Sequence, residues 1–383
     1  MTLVDVKTDV LEWAVHRSGR DITELEKGAK NLPLWLKGEK KPTFKQLEKF
    51  AKATRTPIGF FSLPAPPRET LPIPDMRTLA DTVLREPSAD LLDIIYQCLQ
   101  RQTWYERYTR TNGYQPLPFV GSVQLQDSPV VVAQGMRETL GFQLDERAGH
   151  ANWEVALREF INLIERVGIM VMVSGVVGCN TKRKLDPAEF RGFALADSTA
   201  PLIFVNGTDS KSAQMFTLAH ELAHLWLGQS ALSDATLNRQ SDRDIENWCN
   251  AVAAEFLVPL AQVPSKVEDS RLYQVLNELT KKFKVSSLVI LRRLRDAGAL
   301  DQGQFWSAFN SELKRIETLN EKTESKGGQF FATHALRLGR VFGAALASDA
   351  LEGRTTFSEA IELMGVKKLE TFEELGRRFG VGY

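Results

Sequence analysis

The segment FTLAHELAHLWLG at 216–228 places two histidines and a glutamate in an otherwise almost wholly apolar run. Its polar residues, Thr217, His220, Glu221 and His224, are spaced i, i+3, i+4 and i+7, so they form one stripe of an α-helix. A helix that is apolar on its other sides is packed inside a protein. Because buried polar groups cost free energy unless they find partners, the fold must supply partners for this stripe.

The spacing of the two histidines fits a zinc site. Side chains four residues apart lie one above the other on a helix, so His220 and His224 can reach one ion at about 2.0–2.1 Å. Glu221 follows the first ligand directly and is placed to act on a metal-bound water rather than on the metal. The alternative is a pair of core histidines satisfied by hydrogen bonds. Since the chain has only five histidines, this pattern is rare by chance and we favour zinc.

Composition places the chain among ordinary globular proteins. It has 383 residues, enough for two or three domains, with 43% hydrophobic and 25% charged residues. The net charge of zero excludes a global field that would draw the whole molecule to nucleic acid or anionic lipid. The N-terminus does not read as a signal peptide, and the apolar run 167–179 is too short to span a bilayer. Cys98, Cys179 and Cys249 suggest no disulfide framework, so we expect a cytoplasmic protein without membrane contact.

Four regions are predicted along the chain. Residues 1–63 form a helical module, and 1–60 carry twelve Lys/Arg against eight Asp/Glu, a local charge of +4. A proline-rich linker follows at 64–77. A peptidase-like domain with a helical N-terminal extension spans 78–300, and a helical C-terminal region spans 301–383.

The predicted fold class is α+β and mostly helical. Short apolar runs at 168–173, 190–197 and 200–207 are typical strands of a small sheet. Residues 228–244 are predicted to be a polar loop, and 245–259 a second apolar helix.

Finer features of the helices are also predicted. Asp209 or Ser210 should cap the start of the histidine helix, and Gly228 suits the left-handed residue that ends it. Residues 312–328 are charged enough for a mobile connector. One face of the helix in TFKQLEKFAKAT is expected to carry Phe44, Leu47, Phe50 and Ala51.

The third metal ligand is expected on the helix at 245–259, because a catalytic zinc usually has three protein ligands and one water. Glu246 and Asn250 share a face, whereas Glu255 is rotated to the opposite side. Cys249 is the rival ligand on the Glu246 face. We prefer Glu246, with Asn250 as a supporting partner, because two histidines and a carboxylate match hydrolytic sites better than a thiolate does.

Three motifs in this order resemble the ImmA/IrrE family of metallopeptidases. They are the strand LIFVNG at 202–207, the helix at 216–228, and IENWCNAVAAEFLVP at 245–259. The resemblance covers about 165–300. It implies a zincin-like, gluzincin-type domain in which His220, His224 and Glu246 bind Zn²⁺ and Glu221 is the catalytic base.

The N-terminal module resembles an XRE-type (Cro/CI) helix-turn-helix. The resemblance lies in KGEKKPTFKQLEKFAKATRTPIGFFSLPAPP, residues 37–67. The chain departs from the pattern where the recognition helix should lie, because NLPLWLKG at 31–38 is short and contains Pro33. Few side chains remain to read base edges, so residues 1–63 are expected to bind DNA weakly or to serve only for protein contacts.

The family resemblance implies a regulatory zinc endopeptidase that cleaves a protein such as a transcriptional repressor. It also implies an alternative, because chains of this layout are encoded beside toxin genes: a non-catalytic, antitoxin-like or DNA-binding regulator. A metal hydrolase acting on another substrate is a third reading. The intact Glu221 favours the two enzymes, since a protein that only binds has no need of that carboxylate.

Two parts of the mechanism are predicted less directly. The strand APLIFVNG at 200–207 is expected to pair with an extended substrate by β-augmentation. A second group usually stabilises the oxyanion, and the candidates are His150, His334, Arg243 and Tyr273.

Overall fold

A computed structural model describes residues 2–75, 87–233, 240–320 and 330–382. The described residues fall into two compact units. The first contains 2–72 and 87–96, and the second contains 73–75 and the described residues from 97 onwards. Among the described residues, no helix combines the length and apolar character needed to cross a bilayer.

The first unit is built from short helices. They are α1 (Thr8–Arg17), α2 (Ile22–Gly28), α3 (Leu32–Leu36) and α4 (Phe44–Thr54), followed by a 3₁₀ turn at Ile58–Ser62. Side-chain caps fix two of the helix starts: Asp21 accepts the N–H of Thr23, and Thr43 forms a capping box with Gln46. Pro33 lies in the first turn of α3, which spans five residues.

One apolar core holds these helices together. The predicted face of α4 contributes Leu47, Phe50 and Ala51, all buried. Phe44, which was predicted on the same face, is the first residue of the helix and is 57% exposed. The core consists of Val10, Leu11, Ala14, Leu25, Leu32, Trp35, Leu47, Phe50, Ala51 and Phe61.

The second unit contains a four-stranded mixed sheet. Its strands are β1 (Met170–Ser174), β2 (Gly192–Leu195), β3 (Leu202–Asn206) and β4 (Ala231–Ser233), in the order β1-β3-β2-β4. β1 is parallel to β3, and the other two pairs are antiparallel. The three expected strands are present. The fourth lies inside the predicted polar loop, because three residues are too few to show an alternating pattern.

The position of β3 overturns one expectation. Residues 200–207 were predicted to pair with an extended substrate, but β3 is hydrogen-bonded to β1 on one side and β2 on the other. Its backbone groups are already used, so no further strand can be added to it. The sheet ends at β1 and β4, and only an outer strand can accept another chain.

Five helices accompany the sheet: three come before β1 in the chain, one lies between β3 and β4, and one follows β4. They are α5 (Ala89–Thr111), α6 (Pro129–Leu140), α7 (Trp153–Arg166), α8 (Lys211–Leu227) and α9 (Gln240–Leu257). α8 packs against β2, β3, α7 and α9, and most of its residues are buried. α9 begins five residues before the predicted start at 245.

Both ends of α8 are defined by single residues. Ser210, rather than Asp209, supplies the cap, because its hydroxyl accepts the N–H of Ala213. Gly228 ends the helix with φ +70°, as predicted. A Cβ on Gly228 would lie 2.9 Å from the Cα of Gly121, so the close approach of another loop also requires glycine here.

The rest of the second unit is helical. The helices are α10 (Leu272–Phe283), α11 (Ser287–Asp296), α12 (Gln302–Asn320), α13 (Phe330–Leu338), α14 (Arg340–Leu351), α15 (Phe357–Met364) and α16 (Leu369–Phe379). The connector predicted at 312–328 is therefore wrong as far as Asn320, where α12 continues. Residues 321–329 lie outside the described part of the chain.

A buried carboxylate fixes the start of α14. Glu165, near the end of α7, accepts the backbone N–H groups of Arg340 and Val341 at 2.5 and 3.3 Å. Burial raises the pKa of Glu165 to about 7.

The described chain is mostly helical with one small mixed sheet, which confirms the α+β fold class.

Candidate metal centre

The polar stripe of α8 meets α9 at one buried point. His220 Nε2 lies 3.1 Å from Glu246 Oε2, and His224 Nε2 lies 3.2 Å from Glu246 Oε1. The two Nε2 atoms are 3.1 Å apart. All three side chains are buried, and one ligand atom from each lies within 4.8 Å of the others. The structure therefore brings the three predicted ligands together.

The chemistry of these donor atoms fits a cation. Two imidazole nitrogens and a carboxylate face one another at about hydrogen-bond distance. Such a set needs a positive charge between its members, either as shared protons or as a metal ion. Since neutral imidazole and carboxylate are common ligands of divalent metals, the three residues can hold such an ion.

The pKa shifts show how strongly the three groups interact. Burial raises the pKa of the Glu246 carboxyl, but the two histidines outweigh it and lower that pKa overall. For His220, burial opposes the charged form, yet Glu246, Glu221 and Asn250 together raise its pKa. For His224, burial and the neighbouring His220 lower the pKa. The lowered pKa of Glu246 keeps its side chain in the carboxylate form, which metal binding requires.

Glu221 is fully buried between α8 and the sheet. It lies beside His220, whose pKa it helps to raise, but the cluster of possible metal ligands does not include it. A Cβ built on Gly192 of β2 would lie 3.1 Å from Glu221 Oε1. Glu221 thus occupies the space between the metal cluster and β2, where a carboxylate can act on a molecule held at the metal.

Gly192 is a residue that the sequence reasoning missed. Its absent side chain lets β2 approach α8, because a Cβ there would lie 2.6 Å from Thr217 Cγ2 and 2.8 Å from the carbonyl oxygen of Phe204. The sequence held a signal for it, since a glycine inside a predicted strand often marks a close approach of another element.

Gly192→Ala is expected to destabilise the fold by about 1–3 kcal/mol, because the added methyl group overpacks the β2–α8 contact and presses on Glu221. Urea unfolding of the metal-free protein measures the effect. Gly135→Ala is the matched control, since a Cβ at that helical position meets no atom within 4 Å. Equal stability of the two variants would show that β2 and α8 do not pack as closely as described.

The other candidate residues on α9 differ in their surroundings. Cys249 is buried, and burial together with Glu246 and Glu221 raises its pKa well above the ordinary value, which disfavours a thiolate ligand. Glu255 faces elsewhere: it forms a buried ion pair with Arg293 and accepts the N–H of Leu260. Asn250 lies one turn after Glu246, and its side-chain hydrogen bond with His220 helps to raise the pKa of that histidine.

The candidates for the oxyanion-stabilising group are spread over the fold. His334 Nε2 lies 2.9 Å from the carbonyl oxygen of Met364, and its Nδ1 lies 3.3 Å from the thiol of Cys179. Tyr273 is 57% exposed on α10, and His150 follows a 3₁₀ turn. The side chain of Arg243 lies outside the described part of the structure. The structure assigns none of them to the cluster.

Two models of known families match parts of the chain. Residues 164–295 match the model of the peptidase family M78, described as an IrrE N-terminal-like domain. Residues 338–378 match a domain of unknown function, DUF8813. No curated protein matches the chain. The first match runs from the end of α7 through most of α11 and includes the histidine–glutamate cluster. It supports the resemblance to the ImmA/IrrE family and a metallopeptidase-like function for this part of the chain.

Proposed function

We propose that the protein is a zinc-dependent endopeptidase that cleaves a protein partner such as a transcriptional repressor. One observation carries the proposal: His220, His224 and Glu246 converge at a buried point, with the Glu221 carboxylate beside them. A cluster that only stabilised the fold would not need a further buried carboxylate next to it, because that group adds a desolvation cost. The family match adds an independent reason to expect peptide hydrolysis.

Each residue has a distinct role in this proposal. His220 and His224 would hold the ion as neutral imidazoles through their Nε2 lone pairs, and Glu246 would supply the negative charge that offsets the cation. When bound, zinc lowers the pKa of a water towards about 7 and polarises the scissile carbonyl. Glu221 takes the proton from the attacking water and passes it to the leaving amine nitrogen. Because Glu221 is buried, bulk water does not compete for that proton.

The proposed substrate is an extended or unfolded segment. A folded domain cannot place its backbone against a buried cluster, whereas an extended chain can pair with an outer strand of the sheet. β3 is excluded from this role. The outer strands are β1 and β4, and β4 already pairs at Leu232 with Pro74 and Asp75.

We also propose that the N-terminal unit contributes at most weak contacts to DNA. α3 has five residues, and two of them, Leu32 and Trp35, are buried in the core. The remaining surface is too small for sequence readout in a major groove. The basic character of residues 1–60 supports only salt-dependent phosphate contacts.

Cells that produce the wild-type protein or Glu221→Gln test the proposed function. New protein N-termini are labelled and identified by mass spectrometry in both strains. At least one internal terminus is expected in the wild type and absent from the variant, and the cleaved protein names the substrate. If the termini are identical while the variant also keeps biological function, the non-catalytic, antitoxin-like alternative replaces the endopeptidase.

A further inference from the structure

A thiol and an imidazole meet in the second unit, away from the candidate metal ligands. Cys179 Sγ lies 3.3 Å from Nδ1 of His334, a residue of α13. The other ring nitrogen, Nε2, lies 2.9 Å from the carbonyl oxygen of Met364 at the end of α15. Burial lowers the pKa of His334 to about 4, so the ring is neutral at ordinary pH. Since a carbonyl oxygen only accepts, the ring hydrogen belongs on Nε2, and Nδ1 presents its lone pair to the thiol.

The imidazole is held in this orientation by its surroundings. His334 is 2% exposed, and the ring of Phe330 stacks against it with centroids 5.5 Å apart and planes 7° apart. The Met364 carbonyl fixes the edge that faces away from the thiol. A nucleophile, a base and a group that orients the base are therefore arranged in sequence, which is the general pattern of an activated nucleophile.

The three cysteines of the chain differ sharply in their surroundings. Cys179 is exposed, whereas Cys98 and Cys249 are buried. Burial raises the pKa of Cys98 to about 12, and burial together with nearby carboxylates raises that of Cys249 well above its ordinary value. Both buried thiols are thus protonated and shielded. Cys179 is the thiol that a molecule in solution can reach.

A guanidinium lies next to this thiol. Cys179 Sγ is 3.4 Å from the carbonyl oxygen of Gly365, and a Cβ built on Gly365 would lie 4.0 Å from Arg101 Nη2. Burial lowers the pKa of Arg101, and attraction to the ionised forms of Cys98 and Cys179 opposes that shift. Arg101 is therefore placed to stabilise negative charge as it develops on the sulfur. The Gly365 carbonyl is a second acceptor for the thiol hydrogen, but it is too weak a base to take the proton.

We propose that Cys179 is a modification site for small hydroperoxides, at which His334 takes the thiol proton. The sulfur attacks one peroxide oxygen, and the S–O bond forms as the O–O bond breaks. Sulfur is oxidised to a sulfenic acid and the peroxide is reduced. The proton moves from the thiol to Nδ1 and then to the departing oxygen, which leaves as water or an alcohol. This inference does not rest on the proposed endopeptidase function, because no candidate metal ligand takes part.

The buried imidazole suits a hydroperoxide better than other electrophiles. The oxygen that departs from a peroxide is a poor leaving group unless it receives a proton. An imidazolium whose pKa is lowered to about 4 is a stronger acid than an ordinary one, so it gives up its proton readily. An alkylating agent that releases iodide needs no proton and gains only from the base.

The wild-type chain provides the first test. Folded protein is treated with hydrogen peroxide, the sulfenic acid is captured with dimedone, and the labelled cysteine is located by peptide mapping. Labelling is expected at Cys179 and not at Cys98 or Cys249, and it should disappear in Cys179→Ser. The rate constant for Cys179 is expected to be at least about 10-fold larger in the folded protein than in the guanidinium-denatured chain at the same pH. Equal rates, or labelling of the buried cysteines instead, would overturn the site.

His334→Gln tests the route of the proton, and His150→Gln, in the loop before α7, is the matched control. The reaction of Cys179 with hydrogen peroxide is expected to slow at least about 10-fold in His334→Gln and to be unchanged in the control. Alkylation by iodoacetamide should slow by a smaller factor, a difference that a purely structural defect would not produce. Unlabelled Cys98 and Cys249 establish that the variant is folded, and the wild-type comparison decides the site if it is not. An unchanged peroxide rate, or the same loss with both reagents, contradicts proton transfer through His334.

Discussion

Glu246→Gln is expected to lower the zinc affinity of the protein by at least about 100-fold. The substitution keeps the size of the side chain but removes the negative charge that faces His220 and His224 at 3.1 and 3.2 Å. A neutral amide oxygen is a weaker ligand, and it no longer offsets the charge of the ion in a buried site. Competition with a chromophoric zinc chelator measures the affinity, and wild type is expected to bind one ion per chain.

Glu255→Gln is the matched control for this substitution. Glu255 is a buried glutamate on the same helix, but its carboxylate pairs with Arg293 rather than with histidine. Removing its charge leaves the buried guanidinium without its counter-charge, so the variant should lose about 1–3 kcal/mol of stability and keep its zinc affinity. Loss of zinc binding in Glu255→Gln but not in Glu246→Gln would show that the wrong glutamate was chosen.

The helical periodicity of α8 and α9 contains most of the information about the cluster. The spacing of His220 and His224 defines a helix face, and the same argument separates Glu246 from Glu255 by their rotation round α9. Both inferences are local, because helix geometry fixes the direction of each side chain. The approach of Glu246 to the histidines is not local, and the sequence indicated it only through ligand chemistry and the family resemblance.

The features that were mispredicted depend on contacts between distant residues. The inner position of β3 is decided by pairing with β1 and β2, and the composition of a short apolar strand does not reveal its neighbours. β4 has three residues and exists because β2 offers it an edge. Tertiary contacts override local pattern in each case.

Residues 73–75 show the same limit for the proline-rich region. Its composition correctly indicates an extended chain, because proline restricts φ and supplies no N–H. The partner of that extended chain is β4, a strand that the sequence itself did not reveal. A segment predicted as a linker thus contributes its last described residues to the sheet next to the candidate metal centre.

Glu221→Gln is expected to reduce peptide hydrolysis by about 10²–10⁴-fold while zinc affinity and stability stay close to those of the wild type. The reason is the different position of the two carboxylates. Glu246 faces the imidazole nitrogens directly, whereas Glu221 lies beside His220 with Oε1 towards Gly192. Glutamine fills the same buried space and still forms hydrogen bonds, but it cannot accept the proton of the attacking water. Hydrolysis of the substrate identified from its cleaved terminus, at saturating zinc, measures the rate.

The comparison of Glu221→Gln with Glu246→Gln determines whether the two roles are assigned correctly. Raising the zinc concentration should restore part of the activity of Glu246→Gln, because its defect includes lost binding, and should not help Glu221→Gln. If Glu221→Gln loses zinc as severely as Glu246→Gln, then Glu221 is a ligand and the base must be sought elsewhere. If Glu221→Gln binds zinc and cleaves at the wild-type rate, proton transfer does not pass through this carboxylate. The charge beside His220 would then serve only to position the histidine, whose pKa it helps to raise.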